Sequence, residues 1–288
     1  MKNLVLFCKS YKNDVLRVVE LTKSVQKYNT DHIPFYISVP ATDIDLFRNK
    51  LTGLTYTLIQ DEEILQANPK HSIDLMHEMP GNLLQQVIKS EFWRLGLCQN
   101  YVMIDSDAYF IKPFAHKDFM YDKETPYTVM HEGRDLLNFA ARHGKHKIRN
   151  DFMKDRIQGQ QRFDRSGRVY DFGPLPIICS SLVWKALDEK YIATRNYSFS
   201  NLIQEYPNEM LLYGEALLKY SPVRLMPIEP LFKVFHYKQQ YDESKEIGET
   251  EEVISQNYLG IIKQSNWDFG LDLIKKKKRI WKSLWMKK

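Results

Sequence analysis

The chain has 288 residues, of which 43% are hydrophobic, 13% aromatic and 27% charged, an ordinary globular composition that fits one large α/β domain or one domain with an appendage. Its three cysteines, Cys8, Cys98 and Cys179, are odd in number and far apart, which excludes a disulfide framework or a CxxC zinc site and suits a reducing, cytoplasmic setting. The net charge of +5 is unevenly spread: residues 275–288 hold eight Lys and Arg and no acid, leaving a mildly acidic body with a basic tail.

The run Leu4-Val5-Leu6-Phe7-Cys8 predicts a first strand buried on both faces. It is too short for a signal-peptide core, and Lys9 and Lys12 follow it directly. No apolar stretch approaches the ~20 residues that span a bilayer. A helix begins near Asp14, with Val15, Val18, Val19, Thr22 and Val25 on one face. Strands follow at 34–40 and 56–59, with a short helix between them through Phe47 and Leu51. Pro80-Gly81 breaks the chain before a strong helix over 82–97, and Tyr101-Val102-Met103-Ile104 is a strand that runs straight into Asp105-Ser106-Asp107. Residues 131–173 are polar with little periodicity and read as a long excursion over the sheet edge. A strand at 176–179, helices at 182–187 and 208–218, and a late strand at 231–236 complete the pattern. Alternating strands and helices of this kind predict βαβ units and a largely parallel sheet.

The chemistry centres on Asp105-Ser106-Asp107. Two carboxylates one residue apart repel each other, and a hard divalent cation with oxygen ligands offsets that repulsion and also bridges a diphosphate. The end of a strand in an open α/β sheet is where ligands bind. The alternative is a polar turn with Asp105 as a cap. Gln85 and Lys89 are four residues apart and share a helix face, with Gln86 beside them. An amide and an ammonium there hold a sugar hydroxyl and a phosphate oxygen, or make an ordinary solvated face. Asp171-Phe172-Gly173 imitates a kinase metal motif, but no glycine-rich loop or His-Arg-Asp segment accompanies it, so it counts as coincidence. The basic run His143-Gly144-Lys145-His146-Lys147 meets a phosphate on an acceptor or forms a solvated loop.

The segments Gly81-Asn82-Leu83-Leu84-Gln85-Gln86-Val87-Ile88-Lys89, Trp93-Arg94-Leu95-Gly96 and Tyr101 to Asp107, with Phe235-His236 late in the chain, resemble bacterial GT-A glycosyltransferases of the surface-polysaccharide type. Those proteins carry a Gln-Gln-x-x-Lys helix, an Asp-x-Asp strand end and a late histidine. The resemblance implies a GT-A (Rossmann-like) α/β fold over 1–262, with a mixed, mostly parallel sheet flanked by helices, and a basic amphipathic tail at 263–288. It implies that Asp107 is the principal metal ligand, that Asp105 contacts the ribose or the metal, and that His236 completes the site, with Mn²⁺ or Mg²⁺ as the ion. Ser10, Tyr11 and Asp14, after the first strand, would meet the nucleoside of a nucleotide sugar, such as a UDP-sugar, while Gln85, Gln86 and Lys89 would hold its sugar and phosphates. Glu209 would lie near the acceptor and serve as the base, with Glu215 a weaker alternative. Its other role is a first-turn acid favoured by the helix dipole. His236 lacks the surroundings of one retaining GT-A group, so inversion or retention stays open.

The implied reaction moves a hexose from the nucleotide sugar to a hydroxyl of a glycan or lipid-linked glycan, in lipopolysaccharide or capsule synthesis. Leu271, Ile274, Trp281, Leu284 and Trp285 fall in one sector of a helix among lysines, the pattern of a peripheral contact with an anionic inner-membrane surface. Two rivals remain. A metal-dependent nucleic-acid enzyme or binder would hold phosphates with the tail. A non-catalytic membrane-associated adaptor would bind no nucleotide. The acidic body argues against the first, and the Asp105, Asp107 and His236 set against the second.

Overall fold

A computed structural model describes residues 2–264, so most of the expected tail at 263–288 lies outside the described residues. Among the described residues ten strands form three sheets. The main sheet runs in the order β3-β2-β1-β4-β7, from β1 (Lys2–Lys9), β2 (Phe35–Val39), β3 (Thr57–Gln60), β4 (Cys98–Ile104) and β7 (Ile177–Ser180). The first four are parallel and β7 is antiparallel to β4. The molecule is therefore α/β, with a mixed, mostly parallel sheet and helices against it. Leu4 to Cys8 are at most 1% exposed, as a strand covered on both faces requires. The Val15–Tyr28 helix turns Val18, Leu21, Thr22 and Val25 inward, spaced three and four apart. Phe92, just after the Gly81–Glu91 helix, stacks on Phe7 of β1 at 3.8 Å and meets Tyr101 of β4 edge-on at 5.0 Å.

The order places a topological switch between β1 and β4. From β1 the chain passes to β2 and β3 on one side, and then returns to lay β4 on the other. The two connections diverge there and leave a crevice outside the carboxyl ends of the two strands.

Beyond the main sheet, β5 (Ala108–Phe110), β10 (Gly260–Lys263) and β9 (Phe232–Phe235) form a second sheet, while β6 (Thr128–Val129) pairs with β8 (Pro227–Ile228). The register sets Ala108 beside Ile262 and Ile262 beside Val234. The polar stretch 131–173 differs from its expected irregularity. It forms two helices, Arg134–Arg142 and His146–Arg162, with Gly144 at φ 62° between them. The longer one buries only Phe152, Gly159 and Gln160, too few apolar positions to leave a period in the sequence. The helix expected over 82–97 is α-helical only over Gly81–Glu91; a 3-10 turn over Phe92–Leu95 follows, and Gly96 ends it in the left-handed conformation at φ 65° before β4 starts at Cys98. Among the described residues no helix is long and apolar enough to cross a membrane.

Candidate active site

At the switch point the end of β1 delivers Lys9 and Ser10, and the end of β4 delivers Asp105. Lys9 Nζ lies 2.8 Å from Asp61 Oδ2, and both are buried. Burial pushes the Asp61 carboxyl up to about 6, against the pull of the Lys9 ammonium. Burial, reinforced by Asp105, pushes the Cys8 thiol well up, so it stays protonated and inert.

Next to this pair stands a triad of charges. Lys89, in the last turn of the Gly81–Glu91 helix, puts Nζ 2.6 Å from Asp105 Oδ1 and 3.4 Å from Glu209 Oε1. Its backbone carbonyl accepts a 2.9 Å hydrogen bond from Tyr101 Oη, which ties the helix end to β4. Burial alone would lower the Lys89 pKa, but Asp105 and Glu209 overcome it and hold the group above its ordinary value. The ammonium is therefore a fixed charge. Glu209 opens the Glu209–Tyr220 helix, where the Asn208 side chain caps Leu211 N at 3.1 Å. Asp105 is the outward member, with a side chain 39% exposed against 7% for Glu209.

The other expected residues are distributed as follows. Ser10 is buried, and its N–H donates to the Ser38 carbonyl at 2.8 Å. Tyr11 is exposed at the same rim, and Asp14 forms an ion pair with Arg17 at 2.6 Å. Gln85 and Gln86 are half-buried, and Gln86 Nε2 donates to the Asn82 carbonyl at 3.1 Å. Glu215 is fully buried and clamped by Arg165, with one contact at 3.1 Å, so it is a structural partner rather than an alternative base. The basic run at 143–147 is not a free loop: His143 Nε2 lies 3.3 Å from Glu243, and Lys145 sits over the rings of Phe139 and Tyr237.

The second sheet carries Asp107 and His236 to one edge. Lys263 N donates to the Asp107 carbonyl at 3.1 Å, and Gln264 N to that of Phe235 at 3.3 Å. One strand separates the two backbones, a span of about 10 Å at ordinary strand spacing. Their side chains line different cavities. Asp107 faces one of about 670 Å³, with Arg17, Lys27 and Lys263. His236 faces one of about 580 Å³, with His131, Arg156 and Asp171. Burial lowers the His236 pKa to about 4, so its imidazole is neutral, as a metal donor must be. The donors suit a hard or borderline divalent ion in kind, but they do not converge. Among the described residues no group of three His, Cys, Asp or Glu side chains is arranged to hold a metal ion. The three-donor cage expected from sequence is thus not formed: Lys89 occupies Asp105, and β10 stands between Asp107 and His236.

Sequence reasoning missed Arg156 and His131, and it set Asp171 aside as part of a coincidental motif. Asp171 accepts from Arg156 Nη2 at 2.9 Å and from its neighbour Phe172 N at 3.1 Å. His131 Nδ1 accepts from Gly133 N at 3.0 Å, which leaves Nε2–H to donate to the Gly173 carbonyl. These partners lie up to 42 residues apart on segments without periodicity, so only the fold brings them together.

Residues 4–220 match the model of one known family. The chain belongs to DUF6492, a family of unknown function. No curated protein sequence matches this DUF6492 member. Among solved structures it is similar to mouse xyloside xylosyltransferase 1 in its apo form, at 7% identity and a TM-score of 0.46, over 92% of this chain and 98% of that one. It is also similar to the galactosyltransferase LgtC in complex with donor and acceptor sugar analogues, at 11% identity and a TM-score of 0.45, over 89% and 86% of the two chains.

Proposed function

We propose that this chain is a GT-A glycosyltransferase that moves a hexose from a nucleotide sugar, such as a UDP-sugar, to a hydroxyl of a glycan or lipid-linked glycan. One observation carries the reading: at the β1/β4 switch point, where open α/β sheets take their ligands, β4 ends in Asp105 beside a buried Lys89 that also reaches Glu209. In this reading Ser10, Tyr11 and Asp14 receive the nucleoside, and Gln85, Gln86 and Lys89 hold the sugar and its phosphates. Glu209 accepts the proton of the attacking hydroxyl. Lys89 keeps a positive charge beside it, which holds the carboxylate in place for that transfer. Asp105, Asp107 and His236 are the residues that would hold Mn²⁺ or Mg²⁺, and such an ion, if bound, would supply Lewis-acid chemistry at the departing diphosphate. Convergence of those three donors is a demand that this reading makes of the loaded enzyme. Residues 1–262 would form the catalytic domain, and 263–288 would dock it on the anionic inner-membrane surface, where lipid-linked acceptors for lipopolysaccharide or capsule are held.

The test is a thermal-shift panel of nucleotide sugars with and without Mn²⁺, on the wild type, Asp107→Ala and Glu209→Gln. The expected result is a shift by one nucleotide sugar that grows with Mn²⁺ and is lost in Asp107→Ala. Glu209→Gln should keep that shift while transferring no sugar. No shift with any nucleotide sugar would overturn the reading, and full turnover by Glu209→Gln would remove Glu209 as the base.

A further inference from the structure

The 580 Å³ cavity beside His236 abuts the active site, because its wall includes Met210, the residue after Glu209. Its charges sort into two groups. Asp171 is neutralised by Arg156 at 2.9 Å, and Glu132 by Arg134 at 2.6 Å and Arg168 at 3.0 Å. Asp135 and Glu229 are left. Both are exposed, both line the cavity, and among the described residues neither makes an ion pair or a side-chain hydrogen bond. Tyr170 and Tyr258 add half-buried aromatic surface to the same wall. Carboxylates free of cations accept hydrogen bonds from vicinal hydroxyls, and aromatic faces take the C–H face of a sugar ring. The lining holds four carboxylates, Glu132, Asp135, Asp171 and Glu229, against two guanidinium groups, Arg134 and Arg156, and that excess repels a ligand that is itself an anion, since like charges brought together in a cleft cost free energy.

We infer that this cavity is the acceptor subsite and that Asp135 and Glu229 select a neutral hexopyranose ring over one bearing a carboxylate or phosphate. The inference rests on the transferase reading for the word acceptor, but its ligand chemistry is tested apart from it. The volume suits a glycan terminus, since ligand pockets are typically ~300–1,000 Å³. The floor, formed by the Arg156–Asp171 pair, gives the ring fixed polar contacts at its buried end, while the mouth sets the charge filter.

Saturation-transfer NMR on the full chain tests it with methyl glucoside, galactoside and mannoside, the matching uronates and the 6-phosphates. At least one neutral hexoside should show saturation transfer, with its uronate and 6-phosphate at least five-fold weaker. Asp135→Asn combined with Glu229→Gln, at two exposed positions, should bring the anionic sugars to within two-fold of the neutral one. Tyr170→Ala should weaken all of them alike. Uronates or phosphates that bind as well as the neutral sugars in the wild type would overturn the inference, as would the absence of binding by any hexoside. So would a charge preference that the double variant leaves unchanged. A chain that binds a nucleotide sugar yet prefers anionic glycans sinks this inference alone. A chain that selects neutral hexosides but binds no nucleotide sugar sinks the transferase reading alone.

Discussion

At the scale of single residues, the site is governed by one cation between two carboxylates. Removing one partner of a buried ion pair costs about 3–5 kcal/mol, and the exposure of Asp105 brings the expected loss for Lys89→Met to about 2–3 kcal/mol. That corresponds to a Tm drop on the order of 5–10 °C. Adding Glu209→Gln to Lys89→Met should recover part of it, because the stranded buried charge is gone. A double variant no more stable than Lys89→Met would mean that the ammonium does not neutralise Glu209. The pair deeper in the rim gives a pH signature. Asp61 titrates near 6 in the fold against 3.8 ordinarily, so between those values the folded state holds a proton that the unfolded chain has released. Its contribution is present at low pH and is lost as the pH rises through about 6. Wild type should therefore lose ground in Tm against Asp61→Asn as the pH rises from about 4 to 7, and a constant difference across that range would refute the assignment. Of these residues, Asp105, Lys89 and Glu209 were legible because each sits at a recognisable place: a strand end, a helix face, a helix start. Their mutual contact was not, since Lys89 and Glu209 are 120 positions apart. Nor was the pairing of Lys9, at the end of β1, with Asp61, just after β3.

At the scale of elements, sequence patterns succeed where burial is one-sided or complete. The four parallel strands are short apolar runs, and their helices repeat apolar residues at three and four, so both periods survive in the sequence. The patterns fail for β5, β6, β8 and β10, two to four residues each, which are strands only by virtue of their partners. They fail again for the His146–Arg162 helix, whose hold on the body comes through single large contacts. The middle of the Glu209–Tyr220 helix is held in the same way. A Cβ built on Gly214 would stand 2.0 Å from Phe172 Cγ, so the ring of the Asp171-Phe172-Gly173 turn lies flat against the helix backbone. Gly214 here serves close approach, not an unusual φ. Gly214→Ala gains helix propensity worth up to ~1 kcal/mol, but it overpacks a buried contact at a typical cost of about 1–3 kcal/mol. The net expectation is destabilisation and a displaced Asp171. Phe172→Leu in the Gly214→Ala background should restore part of the Tm by opening room for the methyl group. If Gly214→Ala is as stable as wild type by calorimetry, the ring does not pack as described.

At the scale of the whole molecule, charge is segregated along the chain, and that asymmetry predicts behaviour at a surface. Residues 1–274 are mildly acidic, so any attraction to anionic lipid must come from the basic stretch at 275–288. Each basic residue near such a surface contributes roughly 1 kcal/mol, which is enough for eight of them to outweigh the body at moderate salt. In the proposed membrane role Trp281 and Trp285 would add apolar anchorage of the kind found at headgroup depth. Co-sedimentation of the full chain with vesicles should show binding to phosphatidylglycerol-containing membranes and little to pure phosphatidylcholine. Replacing Lys275, Lys276, Lys277 and Lys278 with Gln should weaken the anionic binding by roughly two to three orders of magnitude. Raising the salt from about 0.1 M to 1 M shortens the screening length from ~10 Å to ~3 Å and should have a similar effect. Trp281→Ala with Trp285→Ala should instead weaken binding at both salt concentrations alike, because apolar insertion is not screened. Equal binding to neutral and anionic vesicles would refute the electrostatic account. Binding to duplex DNA as tight as to the vesicles, abolished by the same four substitutions, would reassign the tail to nucleic acid.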